Sequence, residues 1–351
     1  MKNTMLDKIA TNEAPFLMRQ IEEFSRAGLN SYQIVNNTPL TISAIVKMMP
    51  FIENSFRLRT STPVFLGRDP EAIRIITELG YDFDKDKERC EGADILLDCC
   101  AELKNIKSAK AVSELTRTGV SIYEKEPVSY PILSVDDSRL KALETFYGTS
   151  DGFIRAYKEF VSPEVKGKRF LLFGFGKVGK GIIRGLLEEG ASCTIVDIDE
   201  KALKSPFGSE AKRLLASEIR SITPLLRDHE VLVTATGKDN FLSETPWAEE
   251  ILTSGIKLMN MGAADEFGPL FGENQVVNGK KPINFQLKRP TLLKFLDPVF
   301  YAHNSVVTLL HDSKLKPGLQ PLPMKLDNKL VREWHSIWGM DMSLFLSICP
   351  E

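Results

Sequence analysis

Apolar residues along the chain follow two spacings in alternation. Short continuous apolar runs are separated by longer segments in which apolar side chains recur every three or four positions. Continuous runs suit buried strands and the longer spacing suits amphipathic helices, so the alternation predicts an α/β architecture. Residues 4–26 read as helix, with Leu6, Ile9, Phe16, Ile21 and Phe24 on its apolar face and Pro15 breaking or kinking it. A second helix is expected over 40–56 and a strand over Pro63–Leu66. Asp69-Pro70-Glu71 pairs a cap residue with proline at the first helical position, a helix start. Ile95–Leu97, Val120–Tyr123 and Ile132–Val135 read as strands. Asp137 opens a helical stretch reaching Phe160, interrupted by Gly148-Thr149-Ser150-Asp151-Gly152; that interruption predicts a domain boundary, with a hinge within 148–165. Beyond it, strands are expected at Lys168–Phe173, 192–197, 230–234 and 256–261. Helices are expected at 178–189, 246–253, 298–312 and 325–346.

The sharpest chemical signal follows the strand at Lys168–Phe173. Gly174, Gly176 and Gly179 form G-x-G-x-x-G, preceded by an apolar strand, followed by an apolar helix, and then by a strand ending at Asp197. This is the context of a dinucleotide-binding turn. The first glycine permits the tight turn, the second lets backbone approach a pyrophosphate, and the third lets helix and sheet pack closely. Lys177 and Val178 open the helix, whose N-terminal N–H groups and positive dipole end favour phosphate. Asp197 lies 23 residues beyond Gly174, where a carboxylate accepts from ribose hydroxyls. It would repel a 2′-phosphate, and Ile198-Asp199-Glu200 supplies no cation, so NAD is expected over NADP. Thr236 (in Val233–Gly237) and Asn260 with Gly262 follow two later apolar strands and are expected at the same site.

Composition narrows the classes. The chain has 351 residues, enough for two domains at about 150 residues each. Lys plus Arg is 45 and Asp plus Glu 47, a net charge of −2, which argues against a nucleic-acid partner. No apolar run is long enough to span a bilayer, and the first residues carry no secretory pattern, so a cytoplasmic protein without a membrane partner is expected. The five cysteines show no C-x-x-C spacing, and no metal site is expected. Adjacent Cys99 and Cys100 read as small buried residues.

Several segments resemble the S-adenosylhomocysteine hydrolase family. They are Asn12–Arg19, Leu115–Val120 (L-T-R-T-G-V), Val135–Lys141 with Phe146-Tyr147-Gly148, Phe173–Gly181, Thr234–Gly237 and Asn260-Met261-Gly262. The resemblance implies two doubly wound domains: a substrate-type domain over 1–150, rejoined by 298–351, and a Rossmann NAD domain over 151–297. It also implies bound NAD that transiently oxidises a nucleoside 3′-hydroxyl, a thioether substrate, a place in one-carbon metabolism, and a homo-oligomer. Lys141 matches the family's active-site lysine, and Glu144 and Thr145 stand where it has an Asp-Asn pair. Asp98 is the carboxylate left from its D-D-G-G segment. Thr116 and Thr118 match cofactor-contacting threonines with Arg117 between them, and Thr41 matches a substrate-site threonine. The chain departs from the pattern at Leu115, Cys99, Ala263 and Asp297, where the family has Glu, Asp, His and His, and in the shortened Gly67-Arg68-Asp69 loop. Asp297-Pro298 also reads as a helix cap with N1 proline. Two other readings stay open: an NAD-dependent dehydrogenase of a small alcohol, and a non-catalytic NAD-binding regulator.

Overall fold

A computed structural model describes residues 4–63, 69–83, 90–107, 109–126 and 128–349. Its strands, in chain order, are β1 Gln33–Asn37, β2 Arg57–Ser61, β3 Asp82–Phe83, β4 Ile95–Asp98, β5 Ala111–Glu114, β6 Pro131–Ser134, β7 Arg169–Phe173, β8 Ser192–Asp197, β9 Lys212–Leu215, β10 Val231–Thr234, β11 Lys257–Asn260, β12 Val276–Pro282 and β13 Gly318–Pro321. They form a 7-stranded sheet in the order β13-β6-β5-β4-β1-β2-β3 and a 6-stranded sheet in the order β12-β11-β10-β7-β8-β9. Every pairing described is parallel. Both sheets reverse strand order once, between β1 and β4 and between β7 and β10. This is the doubly wound α/β architecture expected from the alternating pattern, and such sheets bind ligands outside the carboxyl ends of the strands at the reversal.

The chain divides into two compact units, Met1–Ala142 with Leu292–Met340, and Leu143–Thr291 with Asp341–Glu351. The expected seams at 150 and 297 lie several residues from these divisions. The tail from Asp341, expected with the first domain, groups with the second unit. There the Tyr147 hydroxyl donates to the Asp341 carbonyl (3.4 Å) and its ring stacks on Phe345 at 6.2 Å.

Buried carboxylates explain why segment 292–340 returns to the first unit. Asp297 accepts from the N–H groups of Phe16 and Leu17, both at 2.9 Å, and so caps the helix Pro15–Ala27. Asp327 does the same for the helix Arg139–Leu143, accepting from Arg139 (2.7 Å) and Leu140 (3.1 Å). Helix-end N–H groups need an acceptor, and the oxygens of these two buried side chains supply one for each. Asp297-Pro298 is thus no local cap: it lies inside the helix Leu293–Asn304 and caps a different helix.

Other local expectations are corrected. Val120–Tyr123 is helical, within Arg117–Lys125, because the Thr116 hydroxyl accepts from the Gly119 N–H (3.2 Å) and starts a helix there. Its buried apolar residues Val120 and Tyr123 are three apart, a helical spacing. Pro63 is irregular, 64–66 lie outside the described residues, as do Gly67 and Arg68, and the strand nearby is β2. The stretch through 148–152 stays helical, as a π-helical turn at Glu144–Gly148 followed by the helix Thr149–Phe160. Gly152 serves close packing there, since a Cβ on it would stand 2.5 Å from the Pro290 carbonyl oxygen. The single helix expected over 298–312 breaks at Ser305 into Leu293–Asn304 and Val306–His311.

Candidate functional site

In the second unit, the turn after β7 separates its three glycines by what surrounds them. Gly174 has φ +100°, and a Cβ on it would lie 2.4 Å from the Ala235 carbonyl oxygen after β10. A Cβ on Gly179 would lie 2.0 Å from the Gly174 oxygen. A Cβ on Gly176 would meet nothing within 4 Å. Gly174 and Gly179 are therefore demanded by the chain's own packing, and Gly176 is not. Gly176 and Lys177 are exposed and Val178 is half-buried. Gly176 caps the helix Lys177–Glu188 with no side-chain acceptor of its own, leaving its first-turn donors available to a phosphate.

Asp197 ends β8 beside this turn. One carboxylate oxygen accepts from the Phe175 N–H (2.5 Å) and the other from the Asp199 N–H (2.7 Å). An ionised carboxylate has about four acceptor positions, so both oxygens keep capacity for a sugar hydroxyl. Lys180 and Arg213 flank the Phe175 ring at 5.5 and 5.6 Å. Burial, then the nearby Arg213 charge, lowers the Lys180 pKa. The Arg213 guanidinium is committed to the carbonyls of Leu203, Ser205 and Phe207. Neither cation lies in the segment 198–200, where the sequence pattern would have placed one.

The strand ends at β10 and β11 are locked by Glu266. Its buried carboxylate accepts from the N–H of Thr236 (2.8 Å), the Thr236 hydroxyl (2.9 Å) and the N–H of Gly237 (2.6 Å). A Cβ on Gly262 would stand 1.8 Å from that carboxylate. Asn260 is equally committed: its Oδ1 accepts from Gly262 (2.8 Å) and the Thr234 hydroxyl (3.2 Å), and its Nδ2 donates to the carbonyls of Ala264 and Lys280. Thr236, Asn260 and Gly262 thus shape the loops. Glu266 carries no signal in the sequence, because its partners lie about thirty residues upstream.

In the first unit, the reversal between β1 and β4 is lined with side chains. Asp98 is fully buried and accepts from the Asn37 amide (2.9 Å) and from the N–H groups of Cys99 (2.7 Å) and Leu103 (2.8 Å). Burial, then the neighbouring Glu114, raises its pKa to about 7. Glu114 holds the facing loop through the N–H groups of Cys100, Ala101 and Thr116 and the Thr116 hydroxyl. Cys100 and Ala101 both carry positive φ, 65° and 53°, a conformation that side chains rarely adopt.

The other face of the same strand ends carries a second polar group. Asn36, Leu97 and Ser113 stand in register across β1, β4 and β5. The Lys47 amine, fully buried on the helix Ile42–Glu53, donates to Asn36 Oδ1 at 2.5 Å. His303 Nε2 meets the Ser113 carbonyl at 2.7 Å. Lys47 is absent from the candidates read from the sequence, although it is the one charge inside the apolar run Ile42–Ile52 and could have been found there.

The remaining expected residues occupy plainer positions. Thr41 caps the helix Ile42–Glu53, accepting from the Ala44 N–H (3.3 Å). Thr116 caps Arg117–Lys125, Arg117 is exposed beside Glu124 and Asp137, and Thr118 is exposed. Lys141 is half-buried on Arg139–Leu143, with its N–H on the Ser138 hydroxyl (3.1 Å). Glu144, also half-buried, opens the π-helical turn and falls in the second unit.

Two doubly wound parallel units with glycine- and side-chain-lined reversals define the structural class. No protein-family model matches the sequence. Among solved structures, the chain is similar to a dipicolinate synthase component from Bacillus halodurans: 14% identity, TM-score 0.52, covering 80% of this chain and 99% of that one. A transhydrogenase from Sinorhizobium meliloti (14% identity, TM-score 0.45, 81% and 96% covered) and an L-alanine dehydrogenase (12%, 0.44, 86% and 100%) also align. The likeness to the synthase component concerns the fold. No described helix is long and apolar enough to cross a membrane.

Proposed function

We propose that this protein is a nicotinamide-dinucleotide-dependent enzyme whose pyrophosphate site is the turn 174–179. The observation that carries this is the contrast among the three glycines: two are filled against by the chain, and the one at the helix mouth faces open space. Gly176, Lys177 and Val178 would hold the phosphates, and Asp197 the adenosine ribose, which favours NAD. Thr236, Asn260 and Gly262 would border the dinucleotide. When bound, the cofactor would supply hydride transfer at a carbon bearing a hydroxyl or carbonyl group. The test is to denature the purified protein, identify any released nucleotide, and titrate the wild type and Gly176→Val with NAD and NADP. NAD binding that is lost in the variant, with an unchanged melting curve, is expected. Equal binding by the variant, or none by the wild type, would remove the site.

A second reading concerns the reaction. The adenosylhomocysteinase-like motifs suggest transient oxidation of a nucleoside thioether by a homo-oligomeric, cytoplasmic enzyme. Lys141, Glu144 and Asp98 would then supply proton transfer, Thr41 a substrate contact, and Thr116, Arg117 and Thr118 cofactor contacts. One feature favours it: burial, then the neighbouring Glu114, lifts the Asp98 pKa to about 7, which suits proton exchange near neutrality. Thiol release from S-adenosylhomocysteine without accumulating NADH supports this cycle. NADH accumulating with a small alcohol supports a plain dehydrogenase, and tight NAD binding without turnover supports a regulator.

A further inference from the structure

We infer that Lys47 is a nucleophilic amine that takes a small carbonyl compound as an imine, within the polar group formed by Asn36, Ser113 and His303 beneath the helices Ile42–Glu53 and Leu293–Asn304. This inference goes beyond the dinucleotide reading and does not depend on it.

The geometry is unusual for a structural lysine. Its amine is fully buried, with no carboxylate paired to it among the described residues and one hydrogen bond, to Asn36 Oδ1. Asn36 is itself held by Thr38, whose hydroxyl lies 3.0 and 3.2 Å from its amide nitrogen and oxygen. The Phe300 ring centroid lies 6.0 Å from the amine. An ammonium in such surroundings lacks both water and a counter-ion, and burial holds the Lys47 pKa well below the usual lysine range. The neutral amine gives one N–H to Asn36 and keeps a second N–H and a lone pair. Desolvated lysines of this kind are the ones that attack carbonyls.

The neighbours offer unspent hydrogen-bonding capacity. A carbonyl can only accept, so His303 Nε2 carries the proton toward Ser113, and Nδ1 is a bare acceptor. His303 Nδ1 and the Ser113 hydroxyl are buried and have no hydrogen-bond partner among the described residues. Burial lowers the His303 pKa well below the usual histidine range and keeps the ring neutral. A carbinolamine hydroxyl would give such acceptors a donor.

The step balances without any oxidant. The Nζ lone pair forms a bond to the carbonyl carbon, and the carbonyl oxygen gains a proton. Loss of water then breaks the C–O bond and carries away the two amine protons, leaving C=N.

The test uses the full-length protein with glyoxylate as probe and cyanoborohydride to reduce any imine, followed by peptide mass mapping. A carboxymethyl adduct concentrated on Lys47, and lost in Lys47→Arg, is expected. Absence of the adduct from wild-type Lys47, or its spread evenly over surface lysines, overturns the inference. Because labelling is read on the wild type without nicotinamide cofactor, it is separable from failure of the dinucleotide site. A Lys47→Met protein that melts like wild type and takes no label shows that the lost adduct reports the amine rather than misfolding.

Discussion

At the carboxyl end of β7 the chain turns on glycines, and at the carboxyl end of β1 it turns on Asn36, Asn37 and Thr38. The two sheets share a reversal of strand order, yet one reversal presents backbone and the other side chains. Backbone N–H groups suit a phosphate, which any residue could recognise if only its side chain were out of the way. Amides, carboxylates and an amine suit a ligand that must be oriented or have a proton moved. Beneath this contrast lies a shared device. Glu114 in the first unit and Glu266 in the second are both buried, both accept from a threonine hydroxyl and from successive loop N–H groups, and both press against a glycine. A Cβ on Gly119 would stand 2.1 Å from the Glu114 carboxylate, as one on Gly262 would stand 1.8 Å from that of Glu266. The carboxylates stiffen the loops, and what the loops then display differs.

The strongest test of that shared device is to remove each clasp. Glu114→Ala strands the N–H groups of Ala101 and Thr116 and leaves that of Cys100 only the Thr116 hydroxyl, and Glu266→Ala strands those of Thr236 and Gly237. Each is expected to cost about 4 kcal/mol, read as an earlier urea transition. A loss under about 1 kcal/mol in either would show that water replaces the clasp there, and the parallel would fail.

The glycine turn can be broken next. Gly179→Ala drives a methyl onto the Gly174 carbonyl and should cost about 3 kcal/mol, while Gly176→Ala should stay within about 0.5 kcal/mol of wild type. Chemical denaturation of the two variants side by side separates packing glycine from ligand glycine. Equal costs would erase the distinction on which the dinucleotide reading rests.

What was legible in the sequence follows from how local each cause is. The helix start at Asp69 and the strand–turn–helix around Gly174 are written in adjacent residues, and they fold as the pattern predicts. β1 is hidden because it ends in Asn36 and Asn37, whose amides meet Lys47 and Asp98 from elsewhere in the chain. β9, β12 and β13 are half-exposed edge or near-edge strands with no continuous apolar run. Asp297 looks like a local cap in sequence because nothing near it shows that its carboxylate serves a helix 280 residues away. The same blindness hid Glu266. Residue types name the candidates, and only the fold says which groups are already spent.

Asp297 also gives a pH signature to the first unit. Burial outweighs its two N–H donors and Arg19, and lifts its pKa from 3.8 to about 8. The folded state therefore holds a proton that the unfolded chain has lost over that interval. The contribution is complete below the unfolded value and vanishes as pH rises through the folded one. Stability should fall by about 1 kcal/mol per pH unit between those limits, and Asp297→Asn should flatten the slope. Urea midpoints across that range measure it; a wild-type slope of the opposite sign would mean the two N–H donors hold Asp297 ionised.

The smallest effects separate capping from contact among the threonines. Thr116 accepts from Gly119 at the start of its helix and donates to Glu114, whereas Thr118 is exposed in the first turn. Thr116→Ala should cost about 1 kcal/mol or somewhat more, and Thr118→Ala less than about 0.5 kcal/mol. If Thr118 instead touches a bound dinucleotide, as the family resemblance implies, its alanine variant should melt as wild type without cofactor and lose part of the melting increment that NAD confers. If that increment is unchanged, Thr118 is a surface residue. The cofactor reading would then contract to the glycine turn and Asp197, leaving the first unit to its side-chain chemistry.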